Sequence, residues 1–342
     1  MLFEIFKFEI NYRIRQYNTY LYFIIVFLFS IFAVDFIFEG QLGSLKRNAP
    51  IIIARTMGIS SALLMMVPSM IMGVAVLRDF DHQMESLMFI NPIKKRDYLL
   101  GRFLGSFVIL VFIFTAIPFG MMVGDMMPWH NPDKLITFDF WHYLQPFFFL
   151  VVPTLFFGGS LFFITGALSR KLLIVYIQGF FFLIVYLLAI NLARGAEDPF
   201  LTGLLEPFTF QTVLISTSSW SVIERNAAMV PLTGILLYNR LLWIALGMLT
   251  LAVGYHFFSF NVVRDKASKK KKQAKKTEYE SQYSLESVPT PLAFPQAGIQ
   301  ASIVQLLHLT LFSYKSVVKE VSFWAIVLCG MGILFINSIQ SH

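Results

Sequence analysis

Long apolar runs alternate with short polar segments along most of this chain, and their lengths predict helices that cross a membrane. A helix needs about 20 predominantly apolar residues to span the hydrocarbon core of a bilayer. The sequence has 342 residues, and most of its apolar runs lie before residue 263. The predicted spans are residues 20–36, 58–77, 103–123, 147–168, 172–192 and 236–260.

The first 18 residues show a different pattern, in which apolar and polar side chains follow opposite faces of one helix. Phe3, Phe6, Ile10 and Ile14 recur at a spacing of three or four residues, and charged residues lie between them. Such a segment is typical of a helix that lies in the membrane interface. We therefore expect an interfacial helix before the first span.

The pattern changes after residue 263. Residues 264–298 are first basic, then polar and then rich in proline, without a hydrophobic period, which predicts a disordered linker. Residues 299–342 then resemble the N-terminus in their order, because an amphipathic helix precedes an apolar run at Val321–Ile336. We interpret this region as an interfacial helix and a seventh span that begin a second unit.

Composition supports the membrane interpretation. Hydrophobic residues make up 57% of the chain and charged residues 14%, whereas soluble domains have roughly 25% charged residues. The predicted fold class is an all-α polytopic membrane protein. The single cysteine, Cys329, excludes a disulfide within one chain.

The basic residues predict the orientation in the membrane. If the N-terminus is cytoplasmic, 20 of the 27 lysine and arginine residues lie on the cytoplasmic side of the predicted spans. Because loops rich in lysine and arginine stay in the cytoplasm, this distribution favours a cytoplasmic N-terminus. The polar segment between the second and third spans then also faces the cytoplasm.

That segment predicts a short docking helix at Asp79–Asn91. Its apolar residues share one helical face, its acidic residues lie elsewhere, and Asn91-Pro92 ends the helix. An ordinary cytoplasmic loop is the alternative interpretation. The predicted contacts with a protein partner are Asp79, Phe80, Asp81, Met84, Glu85, Leu87, Met88 and Pro92.

Two basic groups are predicted to contact lipid. One follows the docking helix and the other begins the linker, and both lie on the cytoplasmic side of the predicted topology. The net charge of +7 could suggest nucleic acid, but lysines beside predicted spans favour anionic lipid as the partner. The residues are Lys94, Lys95, Arg96, Lys269, Lys270, Lys271 and Lys272.

The sequence lacks several catalytic motifs. It contains no Walker A pattern, no His-Glu-x-x-His and no Gly-x-Ser-x-Gly. A metal site built from His130, Asp133 and His142 is conceivable, but ordinary loop polarity is the favoured explanation of these residues. The predicted spans have no ionisable residue near their middles, which argues against an ion-coupled carrier.

The segment between the second and third spans resembles that of ABC-2 type transporter permeases. The matching positions are Arg78-Asp79, Glu85-Ser86-Leu87, Pro92-Ile93, Lys94-Lys95 and Leu100-Gly101-Arg102. Gln83-Met84 stands where that family usually has Gly-Thr. The stretches MLFEIFKFE, FIFEGQLG, MESLMFINPIKKRDYLLGRF and ILYNRLLW are similar to the N-terminal permease region of bacterial permease/M1-aminopeptidase fusion proteins.

The resemblance implies a six-helix ABC-2 type transmembrane bundle over residues 1–263, in the bacterial inner membrane. It implies a permease subunit of an ATP-driven exporter, with Asp79–Asn91 as its coupling helix. ATP and Mg would then be bound by a separate ATP-binding subunit, so we expect no cofactor, metal or catalytic activity in this chain. A second permease unit is the other partner that the resemblance implies.

Two other functions remain open from the sequence. The chain could be a membrane scaffold or anchor that holds a partner such as a peptidase at the bilayer. It could also be a secondary carrier or channel.

Overall fold

The computed structural model describes residues 1–38, 42–81, 93–193 and 198–259, together with residues 308 and 310. It gives the backbone alone for residues 80, 81, 185 and 187–193. The chain divides into units Met1–Phe258 and Ser259–His342, and the first contains the long apolar helices. The predicted linker lies outside the described residues, and so does the predicted seventh span.

Every regular element in the described part of the chain is helical, which confirms the all-α prediction. A 3₁₀ turn at Pro132–Lys134 and a π-helical turn at Phe147–Val151 accompany the α-helices. The helices are α1 (Leu2–Ile14), α2 (Tyr17–Phe38), α3 (Pro50–Leu63), α4 (Met66–Met72), α5 (Val74–Asp81), α6 (Lys95–Phe114), α7 (Ala116–Asp125), α8 (Trp141–Pro146), α9 (Val152–Ser169), α10 (Leu172–Ala193), α11 (Pro199–Leu205), α12 (Phe210–Ser216), α13 (Val222–Ala227) and α14 (Gly234–Phe257).

Several of these helices can cross a membrane, so the chain is a multi-pass membrane protein. In the described residues, 4 helices are long and apolar enough: Tyr17–Phe38, Lys95–Asp125, Trp141–Ser169 and Gly234–Phe257. The pair Pro50–Leu63 and Met66–Asp79, bent by 56°, makes a fifth if it is one span. The apolar part of α10 that is described with its side chains, Leu172–Ile184, is shorter.

Prolines explain where the long helices break. Pro68, Pro118 and Pro153 each follow a break by a few residues, at Leu64–Met65, at Thr115 and in the π-helical turn. A proline inside a helix donates no hydrogen bond, and its ring clashes with the carbonyl four residues earlier. The breaks therefore fall where the local sequence requires them.

Small residues on α6 and α7 allow two other helices to approach closely. A Cβ atom added at Gly105 would lie 2.7 Å from Cβ of Glu9 on α1, and one added at Gly120 would lie 2.7 Å from the carbonyl oxygen of Phe27 on α2. Distances this short exclude any larger side chain without a shift of the backbone. Thus α1 packs on α6, and α2 packs on α7.

The helix that contains the predicted second span begins much earlier than expected. We predicted residues 58–77, but α3 begins at Pro50, where proline suits the first helical turn. Arg55, which precedes the predicted span, is therefore a helical residue. The rings of Phe38 and Phe210 flank its guanidinium group.

Candidate functional site

The predicted docking segment starts at the last turn of α5 and ends just before α6. The structure describes the side chain of Asp79 and the backbone of Phe80 and Asp81. Met84, Glu85, Leu87, Met88 and Pro92 lie outside the described residues, so their role stays a prediction. What the structure does show is how both ends of this segment are attached to the bundle.

At the first end, Asp79 is buried against α6. Its carboxylate accepts hydrogen bonds from Nη2 of Arg102 at 2.7 and 2.6 Å, and another from the hydroxyl of Tyr98 at 2.7 Å. Only 6% of Asp79 is exposed. We predicted this residue on the docking surface, but its charge is instead neutralised inside the bundle by Arg102.

Glu9 of α1 is the second anion of this network, and it is fully buried. Oε1 accepts a hydrogen bond from Nε of Arg13 at 2.6 Å, and Oε2 accepts one from Nη2 of Arg78 at 2.9 Å. Nη1 of Arg102 also donates to Oε2, and the hydroxyl of Ser106 donates to Oε1 at 3.1 Å. Arg102 therefore joins both carboxylates of the network.

Helical spacing brings these residues together. Glu9 and Arg13 are four residues apart, so they lie on one face of α1, and Tyr98, Arg102 and Ser106 repeat this spacing on α6. Gly105 removes the side chain that would otherwise separate the two helices. Glu9 and Arg13 of α1 thus pack inward, while Phe3 and Phe8 are more than half exposed.

The charges of the network are stable at neutral pH. Burial alone would raise the pKa of Glu9, but the guanidinium groups of Arg13, Arg102 and Arg78 outweigh the effect of burial and lower this pKa from 4.5 to about 2.

Arg13 also connects α1 with a second helix, because its Nη2 donates a hydrogen bond to the carbonyl of Ile71 at 2.9 Å. These contacts connect α1 with both α4 and α5.

The ring systems around the network add contacts that orient the arginines. The guanidinium carbon of Arg78 lies 3.8 Å from the ring centroid of Tyr12, and that of Arg102 lies 5.5 Å from the centroid of Phe8. Cation–π contacts of this kind add about 0.5–2 kcal/mol each. We call the set Glu9, Arg13, Arg78, Asp79, Tyr98, Arg102 and Ser106 the inner charge network.

The predicted lipid-contacting residues at the start of α6 differ in exposure. Lys94 and Arg96 are exposed, whereas Lys95 is partly exposed and its Nζ lies 4.7 Å from the ring centroid of Tyr255 on α14. An open cavity of about 310 Å³ lies beside Arg96, between α6, α9 and α14. Lys269, Lys270, Lys271 and Lys272 lie outside the described residues.

A second cluster lies at the opposite end of the bundle. Nε of Arg47 donates to Asp125 at 2.7 Å, and Nη1 of the same arginine donates to Asp35. The hydroxyl of Tyr143 donates to the other oxygen of Asp125 at 2.8 Å. This cluster fixes the ends of α2 and α7 to α8 and to the segment before α3.

The three residues of the conceivable metal site do not come together. His130 lies 3.8 Å from Asp35, and His142 lies 3.7 Å from Asp139. No group of three or more His, Cys, Asp or Glu side chains in the described ranges has the geometry to hold a metal ion. The contacts of His130 and His142 fit ordinary loop polarity.

A third cluster holds the short helices α11 and α12 against α14. Arg240 donates at 2.9 Å to each of three acceptors, the carbonyls of Leu150 and Pro207 and the hydroxyl of Thr154. Burial raises the pKa of Glu206, although the amides of Thr212 and Gln211 donate hydrogen bonds to its carboxylate and counteract this rise. The π-helical turn supplies one of the carbonyls that Arg240 uses.

Sequence reasoning did not identify these clusters, although part of the signal was present. The four-residue spacing of Glu9 with Arg13, and of Tyr98 with Arg102 and Ser106, marks polar faces on two segments that are otherwise apolar. The sequence analysis predicted an interfacial helix for the first of these segments and assigned no role to Glu9 or Arg13. Nothing in the sequence indicates that the two faces meet.

The inner charge network lies at both ends of the docking segment. It contains Asp79, the first residue of that segment, and Tyr98 and Arg102 from the first two turns of α6. The inner charge network thus connects α1, α5 and α6.

No family model matches the chain, and no curated protein matches it.

Proposed function

We propose that the chain is the transmembrane permease subunit of an ATP-driven ABC-2 type exporter. A separate ATP-binding subunit would dock on residues 80–92, and its movement would pass into the bundle through the inner charge network. One observation carries this proposal: the residues on both sides of the docking segment share buried ion pairs and hydrogen bonds. An ordinary surface loop has no need of this attachment.

The attachment supports coupling for a physical reason. Buried ion pairs with several hydrogen bonds resist separation, because separating the partners leaves charges unpaired inside the protein. Removing one partner of such a pair costs about 3–5 kcal/mol. Movement of α5 against α6 would require breaking the bonds between Asp79 and Arg102. The helices therefore move as one body when the docking segment is pushed.

Glu85→Lys tests the proposal at the docking segment. We expect this change to weaken binding of the ATP-binding subunit, or to abolish stimulation of its ATPase by the permease, because reversing a partnered charge costs several kcal/mol. The bundle should stay folded. The measurement is co-purification in mild detergent, followed by ATPase activity in liposomes.

Glu4→Lys is the matched control, since Glu4 lies on α1 and its side chain is 77% exposed. It should leave binding and stimulation unchanged. If Glu85→Lys and the double variant Phe80→Ala/Leu87→Ala both behave as wild type, the segment is only a loop and the coupling proposal fails. Recovery of a peptidase instead of an ATPase would favour the scaffold function.

Cysteine labelling tests the predicted orientation. With Cys329 replaced by serine, a cysteine at the exposed Asn131 should react with an impermeant maleimide added to intact cells. A cysteine at Lys271 should react only after the membrane is opened, because the basic residues favour the cytoplasm for this tract. The reverse pattern would place the inner charge network outside and exclude ATP-driven coupling through it.

A further inference from the structure

Arg55 on α3 carries a charge that no described residue neutralises. The structure gives its guanidinium group no hydrogen bond and no ion pair within the described ranges, and its Nε is shielded from solvent. Its guanidinium carbon lies 5.1 Å from the ring centroid of Phe38 and 4.7 Å from that of Phe210. Arg55 is partly buried, and two cation–π contacts offset only part of the cost of burying an arginine.

A second arginine lies on a helix that packs against α3. Arg225 is on α13, which contacts α3, and its positive charge acts repulsively on Arg55. Nη2 of Arg225 donates to the carbonyl of Ser218 at 3.0 Å, but its Nε is also buried and has no acceptor among the described residues. Two cations thus approach each other while each keeps a buried N–H group without a described acceptor.

The described carboxylates of this region are already engaged. Glu224 precedes Arg225 but accepts hydrogen bonds from the amide and hydroxyl of Ser221 at 2.7 and 2.8 Å. Glu206 accepts hydrogen bonds from the amides of Gln211 and Thr212. Neither of these two carboxylates forms an ion pair with Arg55 or Arg225.

The two arginines are held in place by contacts outside the pair. Oδ1 of Asn226 accepts a hydrogen bond from the amide of Lys46 at 2.7 Å, which fixes α13 to the segment before α3. A Cβ atom added at Gly58, one turn after Arg55, would lie 2.6 Å from the carbonyl of Phe208. Hence α3 packs directly on the backbone that presents Phe210.

We propose that Arg55 and Arg225 together bind a phosphate group. Guanidinium groups match phosphate oxygens bidentately, and two of them supply both the charge and the N–H donors that a phosphate accepts. On α13, Val222 is 47% exposed and Ile223 is 80% exposed. This apolar surface suits the acyl chains of an anionic phospholipid, while free phosphate is the other source of the same group. The proposal does not depend on coupling to an ATPase.

The test uses the purified full chain in a maltoside detergent without phosphate. Its thermal unfolding is followed with added inorganic phosphate, with dioctanoyl phosphatidylglycerol, and with dioctanoylglycerol as the lipid that lacks phosphate, at constant ionic strength. At least one phosphate probe should raise the Tm of the wild type. Arg55→Gln and Arg225→Gln should raise the probe concentration that gives half of this Tm increase at least tenfold. Arg15→Gln, at an exposed position at the C-terminal end of α1, should not change it.

A second readout separates binding from a purely structural role. Without any phosphate probe, Arg55→Gln should leave the Tm unchanged or raise it, because the variant removes an uncompensated charge. A response to inorganic phosphate identifies a soluble ligand, and a response to phosphatidylglycerol alone identifies a lipid headgroup. The proposal is overturned if neither probe stabilises the wild type, or if Arg55→Gln responds as Arg15→Gln does.

Glu39 lies outside the described residues and follows Phe38 in the sequence, so Glu39→Gln is included. If Glu39→Gln and Arg55→Gln each lower the Tm without probe, and the double variant lowers it no further, the two residues form an internal ion pair. That result would also overturn the phosphate site.

Discussion

Replacing Arg102 by alanine should lower the free energy of unfolding by about 3–5 kcal/mol, since it removes the cation that joins two buried carboxylates. Arg102 is 2% exposed and donates hydrogen bonds to both Glu9 and Asp79. Without it, Asp79 loses its ion pair and keeps the hydrogen bond from the hydroxyl of Tyr98. The measurement is thermal unfolding of the purified protein in detergent.

Arg96→Ala is the matched control for this experiment. Arg96 lies on the same helix but outside the inner charge network, so its loss should change stability by no more than about 0.5 kcal/mol. Arg102→Lys should be intermediate, because an ammonium group keeps the charge but lacks the fork that reaches both carboxylates. Equal melting of Arg102→Ala and Arg96→Ala would show that the inner charge network does not stabilise the fold.

The same network predicts the response of the wild type to acid. The pKa of Glu9 is lowered from 4.5 to about 2 in the folded protein, so its contribution to stability is complete above about pH 4.5. This contribution should disappear as the pH falls from about 4.5 towards about 2. Around neutral pH this contribution is constant, so Glu9 should cause no dependence of stability on pH there. A Glu9→Gln variant shows which part of the acid response belongs to Glu9.

Replacing Arg240 by alanine should cost about 2–5 kcal/mol and release the short helices α11 and α12. Arg240 is 2% exposed and bridges the π-helical turn to the carbonyl of Pro207. Its loss leaves buried carbonyl oxygens without this donor and creates a cavity beside α9, and both changes are destabilising. Thermal unfolding and hydrogen exchange of residues 198–216 measure the two effects.

Two variants make the second experiment specific. Arg240→Met keeps most of the side-chain volume, so it should be more stable than Arg240→Ala if the cavity matters and equal to it if the hydrogen bonds decide. The exposed Arg15→Ala should behave as wild type. If Arg240→Ala leaves the exchange of residues 198–216 unchanged, this arginine does not hold the segment.

Apolar runs of sufficient length determine that this chain forms membrane-crossing helices, because backbone groups in lipid must be paired within the helix itself. The same local reasoning places the breaks, since the effect of Pro68, Pro118 and Pro153 reaches no further than one helical turn. The N-terminal helix was also predictable from its spacing of apolar residues. These features depend on neighbours in the sequence and need no knowledge of the fold.

Only the tertiary structure decided which charges are buried. Glu9 and Arg102 are 93 residues apart. The sequence of either segment alone does not show that its charged side chain is buried. Gly105 lets α1 and α6 approach closely. This approach brings Glu9 of α1 into contact with Arg102 of α6, so that their charges neutralise each other. Arg55 shows the reverse, because packing partly buries it without bringing a described carboxylate to it. Pairing across the bundle depends on how helices pack, and the sequence of one helix does not contain that information.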